Sequence, residues 1–598
     1  MAATVVLVCL VMAVPLFFRP GKVADLTNGD WRQLYFHHKA ARDAMLEQGE
    51  PCFWCPHING GFPLAAHPHD PSFSPLFPIV LIAGEVLGFR INVFLIFIAG
   101  VAGMALLTGK CMGFNRWGVW FATLIYASAG WFPARLYGGN YWETFYYLFP
   151  LIVFCVASAN KDRRYLFGAA LLLYLLLAEA NFVFPVTLLF LGFIWLCGKA
   201  MLGGEGADPE RVVTVKNLGL AVIFACLVGA VKFHLLSGLL AINPREVDYR
   251  VFKPAADIAR SSNPFYGIAA YWDNFIRVRP IAEAARMVGG LDSGILGPEY
   301  LGCGGLALAM ACFSPLVSFR RFFAVAALLG LSIALSFSLY LPFDLFAPIS
   351  RLPVFNSIYN TLKYFNYYTL FFICLGAGGA CQRVFSRCRG QGLRIVLAIL
   401  LLASVLYPLN AHRLIIPLTF FHDPPALKAE TAFFQVDSGP IYFNLMENKG
   451  IIAWHSSIQI PSLTIPAKVY DDNSKTWIPV KDYQGEAWME QGAGHARIIA
   501  MAHNRIQVQA LATAPGILVV NQNFDPGWSC EQGEVVEANG LIGVPIAKPG
   551  LANISLRYRP QGIWVALGVA TASLILLIWH CFFWDFRRNS KHSAITGL

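Results

Sequence analysis

The sequence predicts a polytopic α-helical membrane protein with a β-rich domain near its C-terminal end. The chain of 598 residues is 57% hydrophobic but only 13% charged, whereas soluble proteins carry about 25% charged residues. Its mean hydropathy is +0.54. Long apolar runs alternate with short basic clusters along most of the chain, which is typical of membrane spans joined by cytoplasmic loops.

The apolar runs define about twelve predicted transmembrane helices, since about 17 to 25 apolar residues can cross a bilayer. A shorter stretch at 75–89 contains Glu85 and several prolines near its start, so we interpret it as an interfacial helix. The predicted spans are 2–18, 91–109, 117–134, 144–160, 165–180, 182–198, 217–241, 301–318, 322–341, 364–381, 395–412 and 562–583.

The basic clusters orient these spans. The net charge of +10 is divided among short loops, which argues against a nucleic-acid surface and for a positive-inside topology. All clusters fall on one side if the first run is a retained helix and both termini are cytoplasmic. The transmembrane domain then covers 1–412, followed by 413–561 and by a last helix with a basic tail at 562–598. The outer loops of the first part are 19–90, 135–143, 242–300 and 342–363.

Residues 413–561 have a different pattern. Alternating runs such as Gly516–Asn521 and Ala552–Tyr558 are separated by Gly, Pro, Asn and Asp, which indicates short β-strands. Because this segment lies between the last two predicted spans, we expect an extracytoplasmic domain that resembles a β-sandwich.

The polar segment after the first span contains the leading candidate for a functional residue. Ionisable groups at a membrane boundary are costly and are functional hypotheses by default. Asp30 begins a helical pattern, so it could simply be an N-cap. At helical spacing, however, Asp30, Gln33 and His37 share one face, and a carboxylate beside hydrogen-bonding groups suits a general base. Spacing alone leaves both interpretations open.

Two later outer loops supply further candidates. Asn140 and Glu143 lie where the next helix begins, so Glu143 either complements a helix N-terminus or forms a second polar wall of the same cavity. Arg351, Lys363 and Tyr364 flank the outer end of a later span. A cation there is either an interfacial anchor or a partner for a lipid phosphate, which leaves more readily when its charge is neutralised.

The first outer loop also contains a CxxC pair, Cys52 and Cys55, followed by His57, His67 and His69. Cys and His are zinc ligands, but these histidines follow no regular spacing, and an oxidising exterior favours a local disulfide. We therefore assign no metal site from the sequence. No Gly-rich phosphate loop, nucleotide-binding motif or serine-hydrolase elbow is present, so the usual signals of nucleotide-sugar or ATP chemistry are missing.

The chain resembles the bacterial YfhO-like membrane proteins, which belong with the GT-C glycosyltransferases. Three segments carry the resemblance. The first segment lies near the N-terminus and contains Gly29-Asp30 with Gln33, followed by Asn59-Gly-Gly-Phe-Pro63. The other two are Leu296-Gly-Pro-Glu-Tyr-Leu-Gly302, and Phe524-Asp-Pro-Gly-Trp528 with Leu556-Arg-Tyr-Arg-Pro560 before the last helix.

This resemblance implies a GT-C-like fold in a bacterial cytoplasmic (inner) membrane. It also implies transfer of a sugar from a polyprenyl-phosphate donor to a glycan, lipid or protein acceptor on the outer face. Asp30 then matches the base, Glu143 loosely matches a second acid, and Lys363 stands where a basic residue contacts the donor phosphate. No cofactor is assigned, although some GT-C enzymes use a divalent metal. The alternative is a non-catalytic assembly subunit or a lipid-sugar transporter on the same scaffold.

Overall fold

The structure is a computed structural model. Gly29, nearly all of the predicted outer loop 242–300 and the basic tail lie outside the residues that it describes. The described residues are 1–19, 21–24, 30–202, 208–243, 300–314, 319–338, 341, 343–352, 354–358, 360–420, 422–424, 432–453, 462–471, 474–490 and 494–583.

Every predicted apolar run contains at least one helix. The helices are α1 (Ala2–Ala13), α2 (Trp31–Gln48), α3 (Phe77–Leu106), α4 (Arg116–Ser128), α5 (Trp131–Tyr137), α6 (Phe149–Ser158), α7 (Arg164–Glu179), α8 (Val183–Leu202), α9 (Val215–Val228), α10 (Ala230–Ile242), α11 (Gly305–Phe313), α12 (Phe319–Ser336), α13 (Thr361–Arg387), α14 (Gln391–His412), α15 (Ile415–Thr419), α16 (Ile441–Met446) and α17 (Ile563–Ile578).

The helical, membrane-like character of the chain is confirmed, while the number of spans stays a prediction. Five helical stretches among the described residues are long and apolar enough to cross a membrane, and α9 with α10 adds a sixth if this pair, bent by 75°, is one span. Shorter apolar helices occupy Ala2–Phe17, Val183–Gly198 and Phe322–Ser336. The five stretches are Phe77–Cys111, Tyr141–Ser158, Thr361–Arg387, Gln391–Pro417 and Ile563–Phe583.

The stretch predicted as a separate interfacial helix is joined to the span that follows it across a kink, and together they form α3. Helix α3 contains one break, at Gly84, where φ is 81° and ψ is 166°. Glycine adopts a positive φ without steric cost, so the chain bends there and not near residue 90. Glu85 follows the bend, and its carboxylate accepts a hydrogen bond from the Tyr442 hydroxyl at 3.2 Å.

Helix α13 forms the centre of the helical part. It packs against α4, α11 and α12, and every residue from Thr361 to Cys381 is buried. Polar groups inside this core are paired: the hydroxyls of Tyr126 and Tyr367 lie 2.7 Å apart, as expected for buried polar atoms. The first turn of α13 is capped by Asn360, whose side chain accepts a hydrogen bond from the Lys363 backbone N–H.

The C-terminal part is β-rich, as predicted, and its described residues form three four-stranded sheets with the orders β2-β1-β3-β4, β10-β11-β8-β5 and β6-β7-β12-β9. Exposure alternates along β7, which is the period of a half-buried strand. The strands are β1 (Phe434–Val436), β2 (Lys449–Ile451), β3 (Lys468–Asp471), β4 (Thr476–Pro479), β5 (Ala487–Met489), β6 (Gly494–Ala502), β7 (Arg505–Ala512), β8 (Gly516–Asn523), β9 (Trp528–Cys530), β10 (Val536–Ala538), β11 (Leu541–Ile546) and β12 (Gly550–Tyr558).

The first outer loop folds onto these sheets. Ile58 forms a parallel β-bridge with Ile451 at the end of β2. The ring of Trp54 packs at 5.3 Å from that of Trp528 and at 4.8 Å from that of Tyr558, measured between centroids. Residues 51–62 are therefore joined to the C-terminal domain by both hydrogen bonds and aromatic packing.

Candidate functional site at the outer end of the helices

Asp30 lies at the start of α2 without capping it. The residue occupies the N-cap position, but its side chain makes no hydrogen bond to the helix, so capping does not account for the carboxylate. Burial raises the pKa of Asp30 above its ordinary value, and the charges of Lys363 and Arg32 oppose that rise. A carboxylate with a raised pKa beside a cation is suited to accept a proton.

The second outer loop approaches Asp30 through a glycine. Gly139 has a φ of +77°, and a Cβ built on it would lie 3.1 Å from the backbone nitrogen of Asp30 and 3.3 Å from that of Trp31. Only glycine combines this backbone conformation with such a close approach. The contact places the first turn of α2 against the loop that carries Asn140 and Glu143.

Glu143 is the centre of a buried ion cluster. Its Oε1 lies 2.8 Å from Lys363 Nζ, and its Oε2 lies 3.2 Å from Arg135 Nη1. Lys363 Nζ also donates a hydrogen bond to Asn140 Oδ1 at 2.7 Å. The Glu143 side chain is fully buried, and buried charges persist only when they are paired. The burial of Glu143 is therefore explained by its two ion pairs and not only by a position near a helix N-terminus.

The histidines connect α2 to the second outer loop. Gln33 is half-buried and His37 is fully buried on α2. The His37 ring stacks on His67 with centroids 4.5 Å apart, and the His69 ring stacks on Trp142 at 4.0 Å. Burial lowers the pKa of His37 well below its ordinary value. We therefore expect a neutral imidazole at this position near neutral pH.

A second buried lysine holds the segment between these histidines. Lys232, on α10, donates hydrogen bonds to the main-chain carbonyls of Ala65, His67 and Asp70 at 3.4, 2.7 and 3.0 Å. Burial raises the pKa of the Asp70 carboxyl to about 6, against the opposing charge of Lys232. The side chain of Lys232 therefore fastens residues 65–70 to α10, mainly through the main-chain carbonyls of that segment.

Of the two remaining candidate residues, Tyr364 lies next to the ion cluster around Glu143, and Arg351 lies at the surface. Tyr364 is buried directly after Lys363. Arg351 is exposed at the end of the 3₁₀ turn Ile349–Arg351, and within the described residues no ion pair joins it to Asp30 or Glu143. The structure brings Asp30, Asn140, Glu143, Lys363 and Tyr364 to one region and leaves Arg351 outside it.

An apolar cavity of about 610 Å³ has one lining residue in contact with Tyr364. Its volume and apolar lining are in the range of small-molecule sites. Phe182 belongs to its lining, and the ring centroid of this residue lies 6.4 Å from that of Tyr364. The cavity is thus connected to this region through the contact of Phe182 with Tyr364. Asp30, Glu143 and Lys363 are not part of its lining. Other lining residues are Leu177, Leu188, Phe233, Leu240 and Ser357.

The CxxC pair lies elsewhere, against the C-terminal domain. Cys52 and Cys55 are buried and present as thiols, not as the local disulfide that an oxidising exterior favours. His57 lies beside Cys55, whereas His67 and His69 belong to the ring contacts near α2 described above.

Sequence reasoning missed two residues of these clusters. Arg135 precedes Glu143 by eight residues across a Gly-Gly pair, and that short loop with opposite charges at its ends was an available signal. His503 lies 451 positions from Cys52, which it contacts. No local pattern could have indicated that contact.

Comparison with known proteins gives similarity to solved structures alone. No family model matches the chain, and no curated protein is similar in sequence. The mycobacterial arabinofuranosyltransferase AftD is 12% identical with a TM-score of 0.45, and the match covers 75% of this chain and 32% of AftD. This chain therefore spans about a third of the length of AftD.

Two further solved structures are similar at comparable identity. The oligosaccharyltransferase AglB from Archaeoglobus fulgidus, in complex with an inhibitory peptide and a dolichol-phosphate, is 13% identical with a TM-score of 0.40, covering 76% of this chain and 64% of AglB. ArnT from Cupriavidus metallidurans, bound to undecaprenyl phosphate, is 14% identical with a TM-score of 0.29, covering 76% of this chain and 86% of ArnT.

Proposed function

We propose that this protein transfers a sugar from a polyprenyl-phosphate donor to an acceptor hydroxyl. The reaction takes place on the outer face of a bacterial cytoplasmic membrane. The observation that carries the proposal is the position of Asp30 beside the cluster of Glu143 and Lys363. An apolar cavity, lined in part by Phe182 in contact with Tyr364, adds support. A base, a cation for phosphate and space for a prenyl chain are the three elements that such a reaction needs. The resemblance to the YfhO-like proteins supports the same assignment.

In this mechanism the oxygen of the acceptor hydroxyl attacks the anomeric carbon of the sugar, and Asp30 accepts the proton of that hydroxyl. The bond between that carbon and the phosphate oxygen breaks, and the polyprenyl phosphate leaves with the electron pair. Attack opposite the leaving group inverts the anomeric centre. Lys363 stabilises the negative charge that develops on the departing phosphate, and Asp30 then releases its proton to solvent.

Glu143 acts as a positioning residue in this proposal. Both of its oxygens are held by cations, and its side chain is fully buried, so it is poorly placed to exchange a proton with a substrate. Its carboxylate fixes the ammonium of Lys363, while Asn140 supplies a neutral partner that a phosphate oxygen can replace. Gln33 and His37 contribute polar groups on the same side of α2.

The test is donor turnover by the purified full-length protein in lipid nanodiscs. Undecaprenyl-phosphate-linked sugars with radiolabelled sugar groups are supplied together with a membrane extract as the acceptor source. We expect Asp30→Asn to reduce turnover about 10²- to 10⁴-fold, the usual contribution of a general base, without changing the thermal unfolding midpoint. Asp43→Asn is the matched control, because Asp43 lies on the same helix and pairs with Lys39.

Full activity in Asp30→Asn would remove Asp30 as the base. Absence of turnover by the wild-type protein with every donor, combined with recovery of a membrane assembly when either the wild type or Asp30→Asn is restored to cells, would favour the non-catalytic subunit instead.

A further inference from the structure

Three potential metal ligands, Cys52, Cys55 and His503, meet where the first outer loop contacts the hairpin of β6 and β7, and a fourth, His57, lies beside Cys55. Cys52 Sγ lies 3.4 Å from His503 Nδ1, and Cys55 Sγ lies 4.0 Å from His57 Nδ1. One ligand atom each from Cys52, Cys55 and His503 lies within 4.8 Å of the other two. The four side chains are all buried.

These distances are close to those of a tetrahedral zinc site. Zinc binds thiolate sulfur at about 2.3 Å and imidazole nitrogen at about 2.0–2.1 Å, so neighbouring ligand atoms on a tetrahedron are about 3.3–3.8 Å apart. The separations among Cys52, Cys55 and His503 need adjustments of at most about 1 Å to reach this range. His57, which lies beside Cys55 but outside that group, must in addition move towards the other two ligands. Two thiolates and two neutral imidazoles would also balance the charge of Zn²⁺, which suits a buried site.

His57 has the surroundings of a zinc ligand. Its Nδ1 faces Cys55, while its Nε2 lies 3.4 Å from Asn448 Oδ1. Histidines that bind a metal through one nitrogen usually donate the other N–H to an oxygen, which fixes the tautomer. The amide of Asn448 therefore favours a proton on Nε2 and leaves the lone pair of Nδ1 for the ion.

The backbone around the cluster is already held in place. Asn504, next to His503, donates its backbone N–H to the carbonyl of Trp54 at 3.1 Å and accepts the Trp54 N–H on Oδ1 at 2.7 Å. Its Nδ2 donates to the carbonyl of Pro51 at 2.8 Å. On the other side, Cys55 and Phe62 exchange two backbone hydrogen bonds. The segments that carry the ligands thus need little rearrangement to bind an ion.

We propose that Cys52, Cys55, His57 and His503 form a zinc site of the Cys₂His₂ type that fastens the first outer loop to the C-terminal domain. On binding, the two thiols release their protons to solvent, and each side chain gives one electron pair to Zn²⁺. Four protein ligands leave no open coordination position, so the site is structural. It does not depend on the proposed sugar transfer.

The first experiment measures zinc in the full-length protein purified without chelators. We expect about one zinc per chain in the wild type, and less than about one-tenth of that in Cys52→Ser and His503→Ala, since the three remaining ligands of a structural site bind zinc far more weakly. Cys530→Ser and His495→Ala are matched controls from the same domain and should retain the metal. His67→Ala and His69→Ala should also retain it.

A second measurement needs no variant and so does not depend on variant folding. Removal of zinc from the wild type by a chelator should make Cys52 and Cys55 reactive towards a thiol reagent and lower the thermal unfolding midpoint, and added Zn²⁺ should reverse both effects. A wild-type protein that contains no zinc and takes up none on titration would overturn the proposal. So would mass spectrometry of the unreduced protein that finds these two cysteines joined in a disulfide, or loss of zinc in His69→Ala but not in His503→Ala.

Discussion

Among the residues that the structure describes, two lysines are buried in the helical part of the molecule, and they are held in opposite ways. The ammonium of Lys232 donates hydrogen bonds to main-chain carbonyls of residues 65–70. The ammonium of Lys363 instead contacts two side chains: it forms an ion pair with the carboxylate of Glu143 and donates a hydrogen bond to the amide oxygen of Asn140. The same residue type thus meets fixed partners in one place and exchangeable partners in the other.

The difference separates a stabilising cation from a binding one. Main-chain carbonyls move only if the segment that carries them unfolds, so Lys232 cannot change partners while the protein is folded. Side chains rotate at far lower energy, so Lys363 can exchange the Asn140 amide for a phosphate oxygen. Lys363 also lies close enough to Asp30 to lower the pKa of that carboxyl.

Among the changes that separate the two lysines, the largest expected effect comes from removing the charge of Lys363. We expect Lys363→Met to lower the turnover of the polyprenyl-phosphate donor about 10²- to 10³-fold, the usual contribution of one group that stabilises a developing anion. Turnover is measured per folded molecule in nanodiscs. Lys363→Arg keeps the charge and should recover part of the activity. An equal loss in Lys232→Met would erase the distinction between the two lysines.

The second prediction concerns Lys232 and stability. Lys232→Met leaves three buried carbonyls without their donor, and an unpaired buried polar group costs about 1–3 kcal/mol. We expect the free energy of unfolding to fall by about 2–5 kcal/mol, seen as a lower thermal unfolding midpoint in detergent, with unchanged turnover per folded molecule. Lys216→Met, at the exposed start of α9, is the control. An unchanged midpoint would show that these carbonyls find other partners.

The smallest effect is a shift of the pH profile. Asp30 accepts a proton only when ionised, so activity should decrease as the pH falls through its pKa, which burial raises above the ordinary value of 3.8. Lys363 lowers that pKa. The acid limb of kcat/KM should therefore move to higher pH in Lys363→Met and stay in place in Lys363→Arg and Lys232→Met. A limb that does not move in Lys363→Met would show that this cation does not act on the base.

The parts of the fold that follow from local patterns could be predicted from the sequence. Helices occur in each apolar run, and strands β8 and β12 contain the two runs identified by alternation, because hydrophobic periodicity is a local property. The break at Gly84 was missed because a glycine within an apolar run is compatible with either a straight or a bent helix.

The candidate site was predictable residue by residue but not as an arrangement. Asp30, Glu143 and Lys363 were each selected for charge at the end of a span. Their proximity depends on Gly139 and on packing of α13 against helices distant in sequence, and spacing says nothing about such contacts. The CxxC pair was visible at once, whereas its contact with His503 bridges 451 positions and arises only from the folded C-terminal domain.

The union of the first outer loop with the β-sheets also imposes an order on biosynthesis. Trp54 and Asn504, which share two hydrogen bonds, are 450 positions apart, so at about 5–20 residues per second the loop waits about 20–90 seconds for its partner to emerge. During that interval its tryptophan is uncovered and both thiols lack their C-terminal neighbour. The nascent chain is therefore most exposed to wrong cysteine pairing and aggregation before His503 and Asn504 have been translated.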